Sequence, residues 1–478
     1  MFAWLLRHVL LRGLPVETVE ACVAHPEVLA LLRFRFAYLF AFHAPVLVPL
    51  LELLGGQPGR PGDPSLPVLS LGLASLTMVL SDVPTGLYAD RHGAKAALRR
   101  GLQATNVIML GFFALGIARA IWPEAAVRIG PWGVLLLESA IGISLALLSG
   151  ADTVLFLQVA RRSQIPGLLD RSFEGVGSSI RYLGTMVAVL VGSVLYDLAA
   201  WLVLSDARRL VLQSGLFGLT VLAELWALRE LRKIHDGHAP LHRPGPQELL
   251  RGFAEVLRVP RFFAEMWLLS MAGAVALFAV YLVQSPLSRL LTARAQTSPW
   301  YWPLYTLLAV LGYFACSVGS QHYARHRQDG LDKLPQRSVG LWLSSWLLLW
   351  LLPLLHGLLA GGPWHKVAVL CGCAVLGVLY NYIRGFIEPY SAATLVRFTQ
   401  ASGRTVPVSV VSGFNSLKRG AHFAYSAVFF WLQRRSPHGD PDVRLSHSLG
   451  YLALGFLLLC LPALFGLRRA APQDAPTL

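Results

Sequence analysis

Residues 82–95 read Asp82-Val83-Pro84-Thr85-Gly86-Leu87-Tyr88-Ala89-Asp90-Arg91-His92-Gly93-Ala94-Lys95, directly at the end of an apolar run over about 66–89. Each residue type in this stretch has a physical use at a membrane edge. Gly86 lets a neighbouring helix come close, and Asp90 sits where its charge can be hydrated or paired. Gly93 permits a tight turn, while Arg91 and Lys95 suit carboxylates and lipid phosphates. Such a stretch belongs between two hydrocarbon-crossing helices, and the rest of the chain supplies them.

Of the 478 residues, 55% are apolar and only 14% charged, and the mean hydropathy is +0.55. A soluble domain carries about a quarter charged residues, because its surface faces water. That deficit, with 43 Gly, 29 Pro and long charge-free runs, indicates a polytopic α-helical membrane protein. It excludes a large soluble enzyme, a disulfide scaffold and a disordered chain. A net charge of +15 with a pI near 10.0 would point to nucleic acid in a soluble protein. Here it reflects topology, and no nucleic-acid partner is expected. Cys22, Cys316, Cys371, Cys373 and Cys460 lack CxxC spacing and His-rich surroundings, so they read as small core hydrophobes with no metal or cofactor role.

About twenty apolar residues span the hydrocarbon. Twelve candidate spans fall at about 33–54, 66–89, 101–122, 132–160, 178–200, 209–231, 263–288, 300–320, 338–360, 365–392, 405–432 and 446–467. Residues 1–32 contain Arg7, Arg12, Glu17 and Glu20, which interrupt any signal-like run. They read as a cytoplasmic interfacial segment with Phe2, Trp4, Leu5 and Val9 on its apolar face. Residues 33–231 form one six-span half and 263–468 the other, joined by a cytoplasmic linker over 232–262 and followed by a tail over 469–478. Most of the 41 Lys and Arg fall in the terminal segments and even-numbered connections taken together, which puts both termini in the cytoplasm. The halves show a faint repeat. One numbering offset carries His25-Pro26 onto Val259-Pro260 and Arg91-His92 onto Arg325-His326.

The 86–95 stretch resembles the loop 2–3 signature of the major facilitator superfamily, G-x-x-x-D-R-x-G-R-R/K, through Gly86, Asp90, Arg91, Gly93 and Lys95. Ser149-Gly150-Ala151-Asp152-Thr153 is similar to the family's S-G-A-D-E run, and Arg404-Thr405-Val406-Pro407-Val408-Ser409 to its R-A-T-x-x-S entry to span 11. The resemblance covers essentially the whole chain. It implies an all-α membrane protein of twelve helices, in two six-helix bundles related by a pseudo-two-fold axis. These would rock about a midplane cavity and move a small solute by alternating access. A bacterial drug-exporter-like branch is implied: a monomer in the inner membrane, with H+ as coupling ion. The chain departs from that pattern in places. Ala94 replaces one basic residue, Gln158 stands where an acid is common, and Glu138 stands about where antiporters carry the Arg of R-x-x-Q-G.

Ionisable groups in hydrocarbon cost several kcal/mol unless paired or wetted, so each is a functional candidate. Asp82, Glu138, Asp152, His43 and Arg181 are the proton or gating candidates. Asp82 precedes a proline kink and either carries a proton, pairs with Arg181, or gates against the second half. Glu138 is the alternative carrier, and Asp152 is expected to partner a basic residue. Asn381, Tyr382, Arg384 and Glu388 of span 10, with Tyr281 and Gln284 of span 7, are candidate cavity residues. Arg384 and Glu388 stand i, i+4, and can instead neutralise each other. Glu224, Lys418 and Arg419 complete the intramembrane charges. Two solute readings stay open: an amphipathic, drug-like compound for export, or a lysolipid, nutrient or anion. A non-transporting receptor or assembly protein is a third possibility. A membrane-embedded transferase would need a converging His, Asp or Glu cluster, and His43, His326 and His365 are scattered instead.

Overall fold

The computed structural model describes residues 16–38, 40–55, 65–165, 171–202, 205–235, 301–325 and 408–435, with single residues and short pieces of 264–271, 371–389 and 448–461. Among these, secondary structure is entirely helical. In chain order the helices are α1 (Val16–Ala24), α2 (Pro26–Ala37), α3 (Leu47–Gly55), α4 (Ser65–His92), α5 (Ala94–Ile121), α6 (Pro123–Leu148), α7 (Ala151–Ser163), α8 (Arg171–Trp201), α9 (Asp206–Arg232), α10 (Tyr301–Arg325) and α11 (Val408–Arg435). The expected span 9 lies outside the described residues, as do residues 1–15 and most of the linker.

Backbone chemistry explains the boundaries. Pro26 and Pro123 open α2 and α6, where a missing N–H costs nothing. Gly93, with φ 95, turns the chain between α4 and α5, as the motif requires. Gly150, with φ 75, breaks the fourth span into α6 and α7. Segments over Ala94–Ile121, Arg128–Ala160, Gly177–Tyr196 and Ala207–Arg232 are long and apolar enough to cross a membrane. Their outward residues suit hydrocarbon: Leu136 is 71% and Val107 70% exposed.

The first span is not the continuous helix expected over 33–54. It begins earlier, at Pro26, and is interrupted between Ala37 and Ala44, where a 3-10 turn (Ala44–Val46) leads into α3. The interruption survives because its polar groups are met. Phe40 N–H bonds the Ala37 carbonyl at 3.0 Å, and Phe42 N–H donates to Thr220 Oγ1 at 3.3 Å. Two glycines of α8 make room for it. A Cβ on Gly184 or Gly192 would collide with the Phe36 or Phe42 carbonyl oxygen. Hydrocarbon gives helices no hydrophobic reason to associate, so small residues that allow close van der Waals contact hold them together.

The ends bearing Glu27, Gly93, Arg162 and Arg232 gather at one face, here the N face. Glu27 Oε1 accepts from Arg162 Nη2 at 2.7 Å and from His235 N–H at 2.9 Å. One apolar cluster lies toward that face, built on Leu31, Phe34, Leu98, Leu102, Phe156 and Leu231. A second, with Leu50, Leu54, Phe112, Val134 and Phe217, lies beyond the interruption. Cys22, Cys316 and Cys460 are buried as expected, but Cys371 is exposed.

Among the described helices, the two halves meet where α4 packs on α11 and α8 on α10.

Candidate functional site: the seam between the halves

Asp82 lies on α4 about 15 Å inward of His92, at 1.5 Å per residue, and therefore deep in the hydrocarbon span. It is fully buried. Ser416 of α11 donates to its Oδ2 at 2.6 Å, and the charge of Arg419, one turn further along α11, is felt at the carboxyl. Its Oδ1 has no hydrogen-bond partner among the described residues. Of the three roles open to Asp82, the contact made is with the second half, rather than with Arg181.

Two turns deeper on the same face of α4, Ser75 Oγ and His422 Nδ1 are 2.7 Å apart, both buried. Gly72, a further turn on, faces the Ser426 side chain. The seam is thus a straight antiparallel register in which small residues of α4 meet polar residues of α11. The matching seam between α8 and α10 is also polar. Ser179 Oγ and Ser317 Oγ are 2.7 Å apart, and Gln321 Nε2 donates to Ser179 Oγ at 3.1 Å. Beside it, Arg181 and Arg384 approach the Tyr182 ring from the two halves, at 5.2 and 5.9 Å from its centroid.

Asp152 has the basic partner expected of it. Arg35, 3% exposed, bonds the Asp152 backbone carbonyl at 3.4 Å, pairs with its carboxylate at 3.7 Å and lies over the Phe156 ring at 3.9 Å. Tyr38 donates to Asp152 Oδ2 at 3.0 Å and also bonds Arg181. A chain of polar contacts therefore runs from Arg35 through Asp152, Tyr38, Arg181 and Tyr182 to Arg384 at the second half.

Glu138 is buried at 2% exposure, and its Oε1 has no hydrogen-bond partner among the described residues. His43 packs in the core: it bonds Thr220 Oγ1 at 3.2 Å and lies against the Phe217 ring.

In the loop motif, Gly86 and Asp90 are buried, and Arg91 is exposed. Lys95 differs from its expected pairing with carboxylates or phosphates. Its Nζ bonds the Ile234 carbonyl at 2.5 Å and the Arg232 carbonyl at 3.3 Å, so it caps the end of α9. Those carbonyls form the negative end of the helix dipole, which explains a cation there.

Asn381 receives the Cys316 thiol at 3.4 Å, and Gly385 packs on the Cys316 carbonyl, so span 10 is fastened to α10. Tyr382 lies edge-on to His322. Tyr281, Gln284 and Glu388 lie outside the described residues.

Sequence reasoning passed over Ser75, Ser179, Ser317, Ser416 and His422. Hydroxyls in apolar helices bond their own backbone too often to stand out. His422, however, is an ionisable residue inside span 11, and the criterion that singled out His43 applies to it equally.

No protein-family model matches the chain, and no curated protein matches it. Solved structures do. A D-xylose–proton symporter superposes with a TM-score of 0.59 at 14% identity, over 94% of this chain and 98% of that one. A bacterial homologue of the iron transporter ferroportin, in its outward-facing state, gives 0.57 at 15% identity over 93% and 99%. FucP, a major facilitator superfamily transporter in the outward conformation, gives 0.53 at 14% identity over 93% and 99%. At such identities the likeness concerns architecture. The chain has the fold of the major facilitator superfamily transporters.

Proposed function

We propose that this protein is a secondary active transporter that moves a small solute by alternating access, with Asp82 as the group whose protonation is linked to the seam. The observation that carries this reading is the Asp82–Ser416 contact. A buried carboxyl is held across the boundary between two bodies by one hydroxyl, at a depth where an uncompensated charge is costly. Protonating Asp82 removes the charge that Ser416 and Arg419 answer, and so weakens one pose relative to the other. A ligand or proton can shift such an equilibrium only through its different affinity for the two poses. Glu138, buried within the first half, is the second carrier in this reading.

The remaining features of the reading follow from the sequence. The positive-inside bias supports an N face in the cytoplasm, and the family resemblance implies the rest: a bacterial inner membrane and a monomer that exports an amphipathic compound. A second reading for the solute has its own observation. Arg181 and Arg384 bring a guanidinium from each half to Tyr182, which favours an anionic solute at that level.

The test is a flux screen in proteoliposomes under an imposed pH gradient, comparing the parent with Asp82→Asn and Glu138→Gln. The reading expects gradient-driven flux in the parent and its loss in Asp82→Asn. Equal flux in all three removes proton linkage through these groups. No flux of any compound under any gradient removes the transporter reading.

A further inference from the structure

One buried acid lies away from the seam and takes no part in the reading above. Glu224 is on α9, 5% exposed, and its Oε2 has no hydrogen-bond partner among the described residues. Asn106 is on α5, 8% exposed, and its Oδ1 has none either.

The register between these helices brings the two together. α5 and α9 run antiparallel, with Gly116 against Ser214 and the Phe112 ring stacked on Phe217, centroids 4.9 Å apart. Toward the N face, Leu102 and Leu98 share one core with Ala227 and Leu231. Counting inward from either end of this alignment sets Glu224 opposite Asn106. The same spacing puts Glu224 on the stripe of α9 that includes Ser214, Phe217, Leu228 and Leu231, the stripe turned to α5.

The register therefore sets two buried, unmet acceptor oxygens opposite one another on packed helices, where a single donor between them would satisfy both. We propose that Glu224 and Asn106 bind one proton between them, as a second proton site within the first half. In the occupied form the Glu224 carboxyl O–H donates to Asn106 Oδ1. On release, the proton passes to water, and the Asn106 carboxamide turns over so that Nδ2–H donates to the carboxylate. Each state has a satisfied hydrogen bond, and the change needs rotation of one side chain only. The two orientations of an amide are close in shape, so both fit the same packing.

The charged and titratable neighbours are few. α5 turns Leu98, Leu102, Met109, Phe112 and Gly116 to α9, none of them ionisable; its bases Lys95, Arg99 and Arg100 are at the N face, and Arg119 bonds the Leu54 carbonyl at the far end. From the first span come His43, bonded to Thr220 one turn from Glu224, with Tyr38 and Arg35 engaged at Asp152. From α8 comes Arg181, bonded to Tyr38. From α3, the described buried residues Leu50, Leu51 and Leu54 are apolar.

The test reads the proton itself and requires no transported solute, so it fails or succeeds separately from the transporter reading. Infrared spectra of the full-length protein in lipid, collected from pH 5 to pH 9, are compared for the parent, Glu224→Gln and Asn106→Leu. The expected result is a protonated-carboxyl C=O band at neutral pH that is missing from Glu224→Gln. In Asn106→Leu it shifts to the frequency of a carboxyl without an acceptor. Glu224→Gln keeps a donor for Asn106 and should retain the parent's melting temperature, which separates loss of the band from loss of the fold. A parent spectrum identical to that of Glu224→Gln at every pH overturns the proposal. So does a band that does not move in Asn106→Leu, or a sodium-specific rise in melting temperature lost in Glu224→Gln, which would make the guest a metal cation.

Discussion

Asp82 and Ser416 are 334 positions apart in the chain and 2.6 Å apart in space, and the bond between them joins one half of the molecule to the other. Their neighbours along the same seam, Ser75 and His422, repeat the arrangement two turns deeper. The seam is polar, buried and built from small side chains. Such an interface can part and reseal without exposing a large apolar surface.

Ser416→Ala removes the donor from Asp82 while leaving the carboxyl buried. The expected cost is about 1–3 kcal/mol to this pose alone, the penalty of a buried acceptor left unmet. The measurement is the distance between spin labels at Arg99 of α5 and His322 of α10, both exposed. Its distribution should broaden or shift in Ser416→Ala. An unchanged distribution would show that the bond does not hold the seam.

Asp152→Ala strands the Arg35 guanidinium, which is 3% exposed. Breaking one partner of a buried ion pair typically costs about 3–5 kcal/mol. A marked fall in melting temperature of the purified protein is expected. The double variant Arg35→Met/Asp152→Ala should recover most of it, because no unpaired charge then remains.

Gly184→Leu and Gly192→Leu each drive a side chain into a carbonyl of the interrupted first span. Overpacking of this kind costs about 1–3 kcal/mol or more, so reduced yield of monodisperse protein is expected for both. A leucine at the exposed Val194 of the same helix, 54% accessible, should leave yield unchanged.

Lys95→Ala removes the cation from the carbonyl end of α9, worth about 0.3–1 kcal/mol. Lys95→Glu should cost more, since it places a negative charge there. Thermal unfolding should rank the parent first, Lys95→Ala second and Lys95→Glu last. Equal melting temperatures for the parent and Lys95→Glu would show that the carbonyl contacts contribute nothing.

Cys22 is on the N-face helix α1, outside the spans, and burial pushes its thiol up to about 12. At pH 8 its thiolate is about one part in 10⁴, so alkylation of the folded protein should be very slow. The sign follows from the raised value. The neutral thiol is favoured in the folded state, so this contribution to stability holds below about pH 8.5 and is lost as pH rises toward 12. Rapid alkylation of Cys22 at pH 8 would place it at the surface.

Much of this architecture was legible in the sequence, for reasons tied to particular residues. The charge deficit and the apolar runs gave the helices, and Gly93 gave the first turn, because only glycine holds φ 95 at no cost. Asp152 needed a basic partner, and Arg35 provides it. The interruption of the first span was not legible. Residues 39–42, Leu-Phe-Ala-Phe, are as apolar as a helix interior, and what stabilises the break, Thr220 with Gly184 and Gly192, comes from two other helices. The Lys95 cap was hidden for the same reason, since backbone carbonyls leave no mark in sequence.

The central claim is that the halves separated by this seam adopt two poses. Spin labels at Arg99 on α5 and at His322 on α10, both exposed, report the distance between the halves by pulsed electron resonance. In lipid nanodiscs the account predicts two distance populations whose balance shifts between pH 5 and pH 8, with the shift abolished in Asp82→Asn. A single narrow distance at every pH, the same in parent and variant, would contradict it.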